Sequence, residues 1–471
     1  MGIAPPLFLP HDPGRISQPA AVRGKGIVAQ QTGTVPGGTV PGQGGIWQRP
    51  DSLWEATAPP PPSLPVLDGD VDTPLLVIGG GFTGLSAALH AAEAGTRAVV
   101  LEASEIGRGA SGRNNGQVIP TLTRPDPEDL VARFGVDAGE RFTALVRDSA
   151  DTLFTLVRRL GIACAAEQTG WVQPAHTPGR IKISERRVKQ WGSRGAPVDL
   201  LDRAAVSAIL GTDVYYGGWI NRSGGHINPL ALARGLAAQA VDAGASVYIN
   251  SPALSVERKG DRWVARTPRG TVTADALVLG TNGYAASIFP DIRTEVVPVL
   301  SWQMATAPLS ESQRRTVLPG RPAMSDTHGD LRFMRYSADN RLVTGGGLIV
   351  PFNGTERLKR IVGGRLAAMF PGLSGIRFDH VWNGRIAMTT DYVPRVHRLA
   401  PNAFAWAGCN GRGVALSVSL GRELAYAALG RDVNGLALPF SDPTPLPFNG
   451  LLQRIGPLKL LQYRWNDRRE I

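Results

Sequence analysis

Long apolar runs and helical spacings begin at Thr73 and organise most of the chain after it. Leu75–Ile78 (LLVI) is an uninterrupted apolar run of the kind a buried parallel strand requires, and GGGFTG follows at once. Leu85–Ala94 places apolar residues at helical spacing until Gly95 stops it. Ala98–Leu101 (AVVL) then predicts a second strand, closed by Glu102. Strand, glycine turn, helix and strand within roughly thirty residues predict a right-handed crossover unit. The same chemistry returns further on. Pro229–Ala243 reads as an amphipathic helix stopped by Gly244, and Ser246–Ile249 as a strand. Trp263–Thr267 and Thr271–Ala274 read as a hairpin around Arg269-Gly270, and Ala276–Leu279 (ALVL) as a buried strand leading into Gly280-Thr281-Asn282-Gly283.

Residues 130–222 mix helices and strands without a glycine signature. Residues 295–370 hold strand-like runs (VVPVLSWQMAT, RLVTGGG) and one helix, Glu356–Met369. The expected architecture is therefore α/β. A Rossmann-type domain covers 73–129, 223–294 and 371–435, and a second domain, 130–222 and 295–370, is inserted in two passages. Residues 1–46 are rich in glycine and proline without apolar period and read as a disordered leader. Residues 47–72, with Trp47, Leu53, Trp54 and Pro59–Pro62, read as an extended arm laid on the surface. The tail, 436–471, ends in a basic amphipathic stretch, Leu451–Arg469, expected to dock on the protein's own body.

Composition narrows the class. The chain has 471 residues, 43% of them hydrophobic, which suits two packed domains better than one core. Lys+Arg 50 against Asp+Glu 39 leaves +11, but the basic residues are scattered and lack an aromatic-plus-basic motif, so no nucleic-acid partner is expected. Two cysteines, Cys164 and Cys409, exclude a disulfide framework and a multi-cysteine metal site, and no metal is expected. No secretory signal or membrane-spanning run is apparent, so a cytoplasmic location is expected.

The turn Gly79-x-Gly81-x-x-Gly84, with Glu102 eighteen residues beyond its last glycine, points to a dinucleotide. The first glycine permits a tight turn, the second admits a pyrophosphate against the backbone, and the third lets helix pack on strand. The helix start offers free N–H groups and a positive dipole end, and the acid accepts ribose hydroxyls. An acid there selects against a 2′-phosphate, which leaves NAD or FAD. The small glycine-dense loop GRGASGRNNGQ (residues 107–117) argues for FAD, because it lets backbone lie against a bulky cofactor. A third element, Phe404–Leu416 (FAWAGCNGRGVAL), sets a helix N-terminus where it stabilises negative charge on a flavin pyrimidine.

These motifs, with SLWEATAPPPP, GGHINPLALARGLA, TNGYAASIFP and NGRIAMTTDYVPRV, make the chain resemble the FAD-dependent D-amino acid oxidase superfamily, which includes glycine oxidase and sarcosine oxidase. Within it the likeness is to gamma-glutamylputrescine oxidoreductases, and it runs from about residue 52 to about 435. The resemblance implies a glutathione-reductase-like FAD domain and an antiparallel sheet that roofs the flavin. By this resemblance Gly79, Gly80, Gly81, Phe82, Thr83 and Gly84 hold the pyrophosphate, and Glu102 the ribose. Arg108, Ala110, Ser111, Asn115, Gly116 and Gln117 lie along ribityl and isoalloxazine, and Ala253 meets adenine through backbone. Gly280, Thr281 and Asn282 close over the diphosphate, and Gly411, Arg412, Gly413 and Val414 meet the pyrimidine. Some sarcosine oxidases tether FAD through a cysteine where this chain reads IAMTT, so the FAD is expected to be non-covalent. RLVTGGG also lacks a lysine used by oxygen-reactive relatives, which leaves the acceptor open between oxygen and a carrier.

The implied activity is oxidation of the C–N bond of an amine or amino acid. It needs few protein groups, because the enzyme chiefly orients the carbon and excludes water. His226, Asn228, Tyr284, Arg335 and Arg385 are the residues expected to face the pocket, with Tyr284 and Arg335 suited to a substrate carboxylate. Trp302 is expected in the core. Rival readings are a dehydrogenase serving a carrier protein or quinone, a tRNA-modifying flavin domain, and a non-catalytic FAD-binding protein.

Overall fold

A computed structural model describes residues 49–285, 288–330, 332–348, 353–437, 439–455 and 458–470. The expected leader lies outside the described residues, as does Trp47. The chain enters through α1 (Leu53–Thr57), then β1 (Val71–Ile78), α2 (Phe82–Glu93), β2 (Ala98–Leu101), β3 (Gln117–Val118), α3 (Pro127–Phe134) and α4 (Val136–Leu160). It continues through β4 (Trp171–Pro174), α5 (Ile181–Gly192), β5 (Val198–Leu201), α6 (Arg203–Leu210), β6 (Gly218–Asn221), β7 (Gly225–His226) and α7 (Pro229–Asp242). Next come β8 (Ser246–Tyr248), β9 (Ser255–Lys259), β10 (Arg262–Thr267), β11 (Gly270–Leu279), α8 (Pro290–Glu295), β12 (Val297–Pro308) and α9 (Glu311–Thr316). The remainder is β13 (Ala323–Ser325), β14 (Phe333–Tyr336), β15 (Arg341–Gly346), α10 (Gly354–Met369), β16 (Phe378–Met388), β17 (Arg395–Ala400) and β18 (Ala403–Ala407). It closes with α11 (Gly413–Ala428), β19 (Phe440–Ser441), α12 (Asn449–Ile455) and α13 (Lys459–Arg469).

The first sheet runs β19-β17-β18-β11-β1-β2-β8, with β10 paired to β11 and β9 to β10. Its middle, β18-β11-β1-β2-β8, is parallel. The last residues of β1 and β11 are apolar and buried, packed under α2 and α11. Helices α2 and α11 approach closely at Gly421, where a Cβ would overlap the Thr83 carbonyl oxygen, and Ser86 Oγ donates to the Val418 carbonyl at 2.7 Å.

The second sheet runs β16-β12-β15-β14-β13-β4-β6-β5 and is antiparallel except for β13 beside β4. That one parallel pairing welds the two inserted passages into a single layer. Alternation along the strands gives it two faces. One buries Val172, Ile220, Met324, Met334, Tyr336 and Leu342 with α10 residues Leu358, Val362 and Leu366. The other, through Trp171, Trp219 and Ala323, joins the core of the first sheet. Trp302 packs beside the outer cluster.

The boundaries differ from the sequence expectation at three places. Leu130, Phe142, Leu145, Val146 and Leu153 of α3 and α4 belong to the core of the dinucleotide layer, because the long apolar stripe of α4 covers that layer rather than the second sheet. Phe378–Met388, expected in the FAD domain, is the edge strand β16, paired with β12 over most of its length. The arm is an extended, mostly exposed segment only from residue 58 to 70, and its start is not. Its helix α1 is capped by Ser52, and Leu53 and Trp54 are fully buried. Trp54 finds cover between the Trp382 ring, 5.5 Å away edge-on, and the Arg335 guanidinium, 4.5 Å from its centroid.

The tail is described as two helices. Helix α13 docks on the second sheet where glycines leave room: a Cβ at Gly329 would lie 2.8 Å from Tyr463 Cβ, and one at Gly347 2.7 Å from Leu460 Cδ1. Among the described residues no helix is long and apolar enough to cross a membrane.

Candidate cofactor and substrate site

Four adjacent parallel strands, β18, β11, β1 and β2, end along one edge of the first sheet, so their following turns stand side by side. After β1, Gly79 adopts φ +102°, and a Cβ there would lie 3.2 Å from the Gly280 carbonyl carbon. A Cβ at Gly84 would overlap the Gly79 carbonyl oxygen. Gly81 is the N-cap of α2 and offers no side chain to its first-turn amides, so the positive end of the helix is open. Ser111 Oγ accepts the Phe82 N–H at 3.0 Å, placing a hydroxyl beside that anion-seeking turn. After β2, Glu102 is buried, with Oε2 accepting the Gly80 N–H at 2.7 Å and Oε1 the Ser104 N–H at 2.9 Å. Burial raises its pKa against those two bonds. Each oxygen keeps capacity for a further donor, as a ribose diol requires. Asn282, after β11, has φ +47° and accepts the Gly408 N–H on Oδ1 at 2.9 Å, tying the second turn to the third. The turn after β18 leads into α11, whose N-cap Arg412 makes no side-chain cap bond. Ala253 is half-buried in the link from β8 to β9, next but one to Ser251, whose N–H reaches the Glu102 carbonyl.

The loop 108–117 is held chiefly by side chains from elsewhere. The carbonyls of Arg113, Asn114 and Asn115 accept, in turn, from Trp382 Nε1 at 2.9 Å, Trp54 Nε1 at 2.8 Å and Arg335 Nε at 2.7 Å. Gln117 spans to the roof, donating to the Met324 and Met334 carbonyls and accepting from Ser325 Oγ. Gly116 has φ +78°, and a Cβ there would overlap the Ile227 carbonyl oxygen. Arg108, expected along the cofactor, is instead closed by carboxylates: Nη1 meets Glu55 Oε1 at 2.7 Å, and Nη2 pairs with Glu105. Glu55 comes from the arm and also takes Arg234 at 2.9 Å. The Thr83 hydroxyl accepts from Trp406 Nε1 at 2.7 Å.

The substrate-side residues fare unevenly. Arg335 is 2% exposed, but its fork is spent on main chain: Nε to Asn115, Nη1 to Tyr336 and Nη2 to Ile227, at 2.7 to 2.8 Å. Burial drags its pKa to about 9. It is placed as a clasp between roof and FAD loop rather than as an anchor for a carboxylate. Arg385 lies on edge strand β16 with its side chain exposed. Tyr284 is half-buried, its hydroxyl bonded to the main chain of Arg385, and burial raises its pKa. His226 is 1% exposed and paired through its backbone with Gln117. Its Nε2 lies 3.2 Å from the Arg321 carbonyl, and burial first, then Arg335, lowers its pKa to about 3, so it is neutral. Asn228 caps α7 and donates to Thr57 Oγ1.

The profile of the family described as "DAO: FAD dependent oxidoreductase" matches residues 75–427. The chain belongs to that family. It is 31% identical over 380 residues to gamma-glutamylputrescine oxidoreductase of Escherichia coli (strain K12), covering 80% of this chain and 88% of that protein. It is 24% identical over 379 residues to glycine oxidase of Bacillus licheniformis, covering 76% and 93%. Among solved structures, glycine oxidase from Geobacillus kaustophilus superposes with a TM-score of 0.67 at 20% identity, covering 80% of this chain and 99% of that one.

FAD is thus the cofactor of this oxidoreductase, and the residues fit it. Two helix starts whose own N-cap residues make no side-chain cap bond, a buried acid with spare acceptor capacity and glycines that admit no Cβ form one continuous edge. Three features escaped the sequence reading. The arm helix lies buried against the loop, the indole of Trp382 reaches the Arg113 carbonyl, and the Arg412 side chain, considered only as part of a turn, carries a buried charge. The triplet Leu53-Trp54-Glu55 after a capping serine, Ser52, was the local signal for the first.

Proposed function

We propose that this FAD-dependent oxidoreductase oxidises the C–N bond of an amine or amino acid. The products are an imine, which water hydrolyses to a carbonyl compound and the released amine, and reduced cofactor. Bound FAD supplies the acceptor for the hydride, and with it the two electrons, leaving the substrate carbon. The free amine carries the lone pair that assists C–H cleavage, so no protein base is required, in keeping with a neutral His226.

The observation that carries the reading is the apposition of the three glycine turns with the inner face of the second sheet. Arg335 and Gln117 bond the two layers across the loop at 108–117. Trp171, Phe333, Gly345 and Gln303 stand on that face and serve to orient the carbon and keep bulk water out. The uncapped start of α11 favours negative charge on the neighbouring cofactor edge. The similarity to a gamma-glutamylputrescine oxidoreductase and to a glycine oxidase supports a C–N donor.

The test is an anaerobic screen of the yellow holoenzyme with D-amino acids, glycine, sarcosine and acylated polyamines, including gamma-glutamylputrescine. Bleaching of the flavin by one class is expected. A flavin that dithionite reduces but none of these compounds does would overturn the reading.

A further inference from the structure

Helix α13 lies across the seam between roof and cofactor layer. On the roof side it crosses the edge formed by the β13–β14 turn and the end of β15. The Asp467 carboxylate accepts the Gly329 N–H at 3.0 and 3.1 Å, and Arg464 meets buried Asp330 at 3.1 Å and the Gly347 carbonyl at 3.2 Å. Leu460 fills the space beside Gly347, two residues beyond Gly345 of the inner face. On the cofactor side the Tyr463 hydroxyl meets the Tyr392 hydroxyl at 2.6 Å. The Arg124 guanidinium lies 4.6 Å from the Tyr392 ring centroid and 5.4 Å from that of Tyr463. Both landing loops are tied to the turn before α11, assigned by resemblance to the flavin pyrimidine. The Thr123 hydroxyl donates to the Asn410 carbonyl, and Asn410 Oδ1 accepts the Thr389 N–H at 2.8 Å. Tyr392 is held at φ +63°, a left-handed conformation that is costly for a bulky residue. The strain sits where the helix lands.

The attachment of α13 is of a kind that can be released. Its body-facing side is Leu460, Tyr463, Arg464 and Asp467, and its last ion pair, Glu470 with Arg180, is partly exposed and adds little. Leu458, Leu461 and Trp465, at i, i+3 and i+7, occupy the opposite side and are more than half exposed. Asp330 keeps Arg365 at 2.6 Å when Arg464 leaves, so no buried carboxylate is stranded. The preceding helix α12 is moored instead. Buried Asn449 donates to the Thr294 and Val296 carbonyls at 2.8 and 3.0 Å. Between the two helices the sequence reads Gly456-Pro457, a pair that breaks a helix.

We propose that α13 is a hinged gate over the route by which substrate reaches the cofactor, moored by α12 and turning about Gly456-Pro457. Closed, it bridges the roof edge and the loops beside the pyrimidine turn and keeps bulk water from the seam. Open, it uncovers that seam for the amine to enter and the product to leave. The identity of what passes rests on the proposed C–N oxidation, whereas the shielding of the flavin rests on the fold alone.

The experiment holds the gate in each position in the full-length holoenzyme. Access to the flavin is read by iodide quenching of its fluorescence, which needs no substrate. Gly329→Val puts a branched side chain where a Cβ alone would lie 2.8 Å from Tyr463 Cβ, so it forces the helix off. The quenching constant should rise about threefold or more. Gly347→Cys/Leu460→Cys ties the helix down. A Cβ at Gly347 would lie 2.7 Å from Leu460 Cδ1, within reach of a disulfide, and the native Cys164 and Cys409 are buried. Oxidised, this variant should be quenched less than in its reduced form. The amine that bleaches wild-type flavin best should bleach it about tenfold more slowly or worse, with the rate restored by dithiothreitol. Wild-type quenching in Gly329→Val, or equal quenching and bleaching in the oxidised and reduced pair, overturns the gate. So does a pair that fails to close under oxidant, because the docked helix requires closure. Should Gly329→Val lose its FAD, the cysteine pair decides. If no amine bleaches wild type, the C–N reading falls, while iodide quenching of the oxidised against the reduced pair still judges the gate.

Discussion

Replacing Arg335 by lysine tests the clasp directly. The substitution keeps a buried positive charge, so relief from burying it does not enter, and it removes the planar fork. Arginine satisfies three main-chain acceptors spread around one plane, those of Asn115, Tyr336 and Ile227. An ammonium on a shorter reach meets one of them, leaving two buried carbonyls unsatisfied at about 1–3 kcal/mol each. The contact with Trp54 weakens as well, because a compact ammonium stacks poorly on an indole. The expected loss is therefore on the order of 2–6 kcal/mol. Unfolding entropy scales with length, so each kcal/mol corresponds to roughly 1 °C for a chain of this size, and the melting temperature should fall by roughly 2–6 °C. Thermal unfolding followed in parallel by far-ultraviolet dichroism and flavin fluorescence reads both the fold and cofactor release. Flavin release should shift at least as far as the dichroism, since the loop along the cofactor hangs on this residue. A variant that melts like wild type but binds benzoate tenfold more weakly would refute the clasp and return Arg335 to the substrate.

Three further outcomes are expected. Gly84→Ala places a methyl on the Gly79 carbonyl oxygen, so the purified protein should be colourless; stoichiometric FAD in the absorbance spectrum would refute the packing argument. Acid precipitation of wild type should release all flavin to the supernatant, because IAMTT offers no thiol; yellow pellets would show a covalent link. His226 has a folded pKa near 3 against about 6.5 unfolded, so below pH 6.5 the unfolded chain binds the extra proton and stability is lost as pH falls toward 3. His226→Asn should therefore narrow its stability gap to wild type by about 1.4 kcal/mol between pH 7.5 and 5.5, and parallel urea midpoints at the two pH values would contradict this.

What the sequence made legible was local. The glycines at 79, 81 and 84, the acid at 102 and the apolar runs at 75–78, 98–101 and 276–279 lie within short windows, and their spacing carries a geometry by itself. The burial of Trp54 was not legible, because its partners Trp382 and Asn114 lie 328 and 60 residues away. The strand at Phe378–Met388 was read with its sequence neighbours, whereas its pairing with β12 depends on a register no local pattern states. Arg335 and Arg412 look alike in sequence, each beside an apolar stretch. Only the tertiary structure separates one surrounded by carbonyls from one with a bare edge.

That contrast also explains how the roof is held rigid. Three consecutive carbonyls, at 113, 114 and 115, are each held by a side chain from the arm or the roof, so the loop beside the cofactor owes its shape to long-range bonds. A buried guanidinium saturated by such carbonyls contributes to a fixed scaffold whether or not substrate is bound. A buried guanidinium left short of an acceptor does the reverse and costs stability. Burial pulls both residues to a pKa of about 9. The difference between them is therefore hydrogen bonding rather than depth, and it assigns the first to architecture.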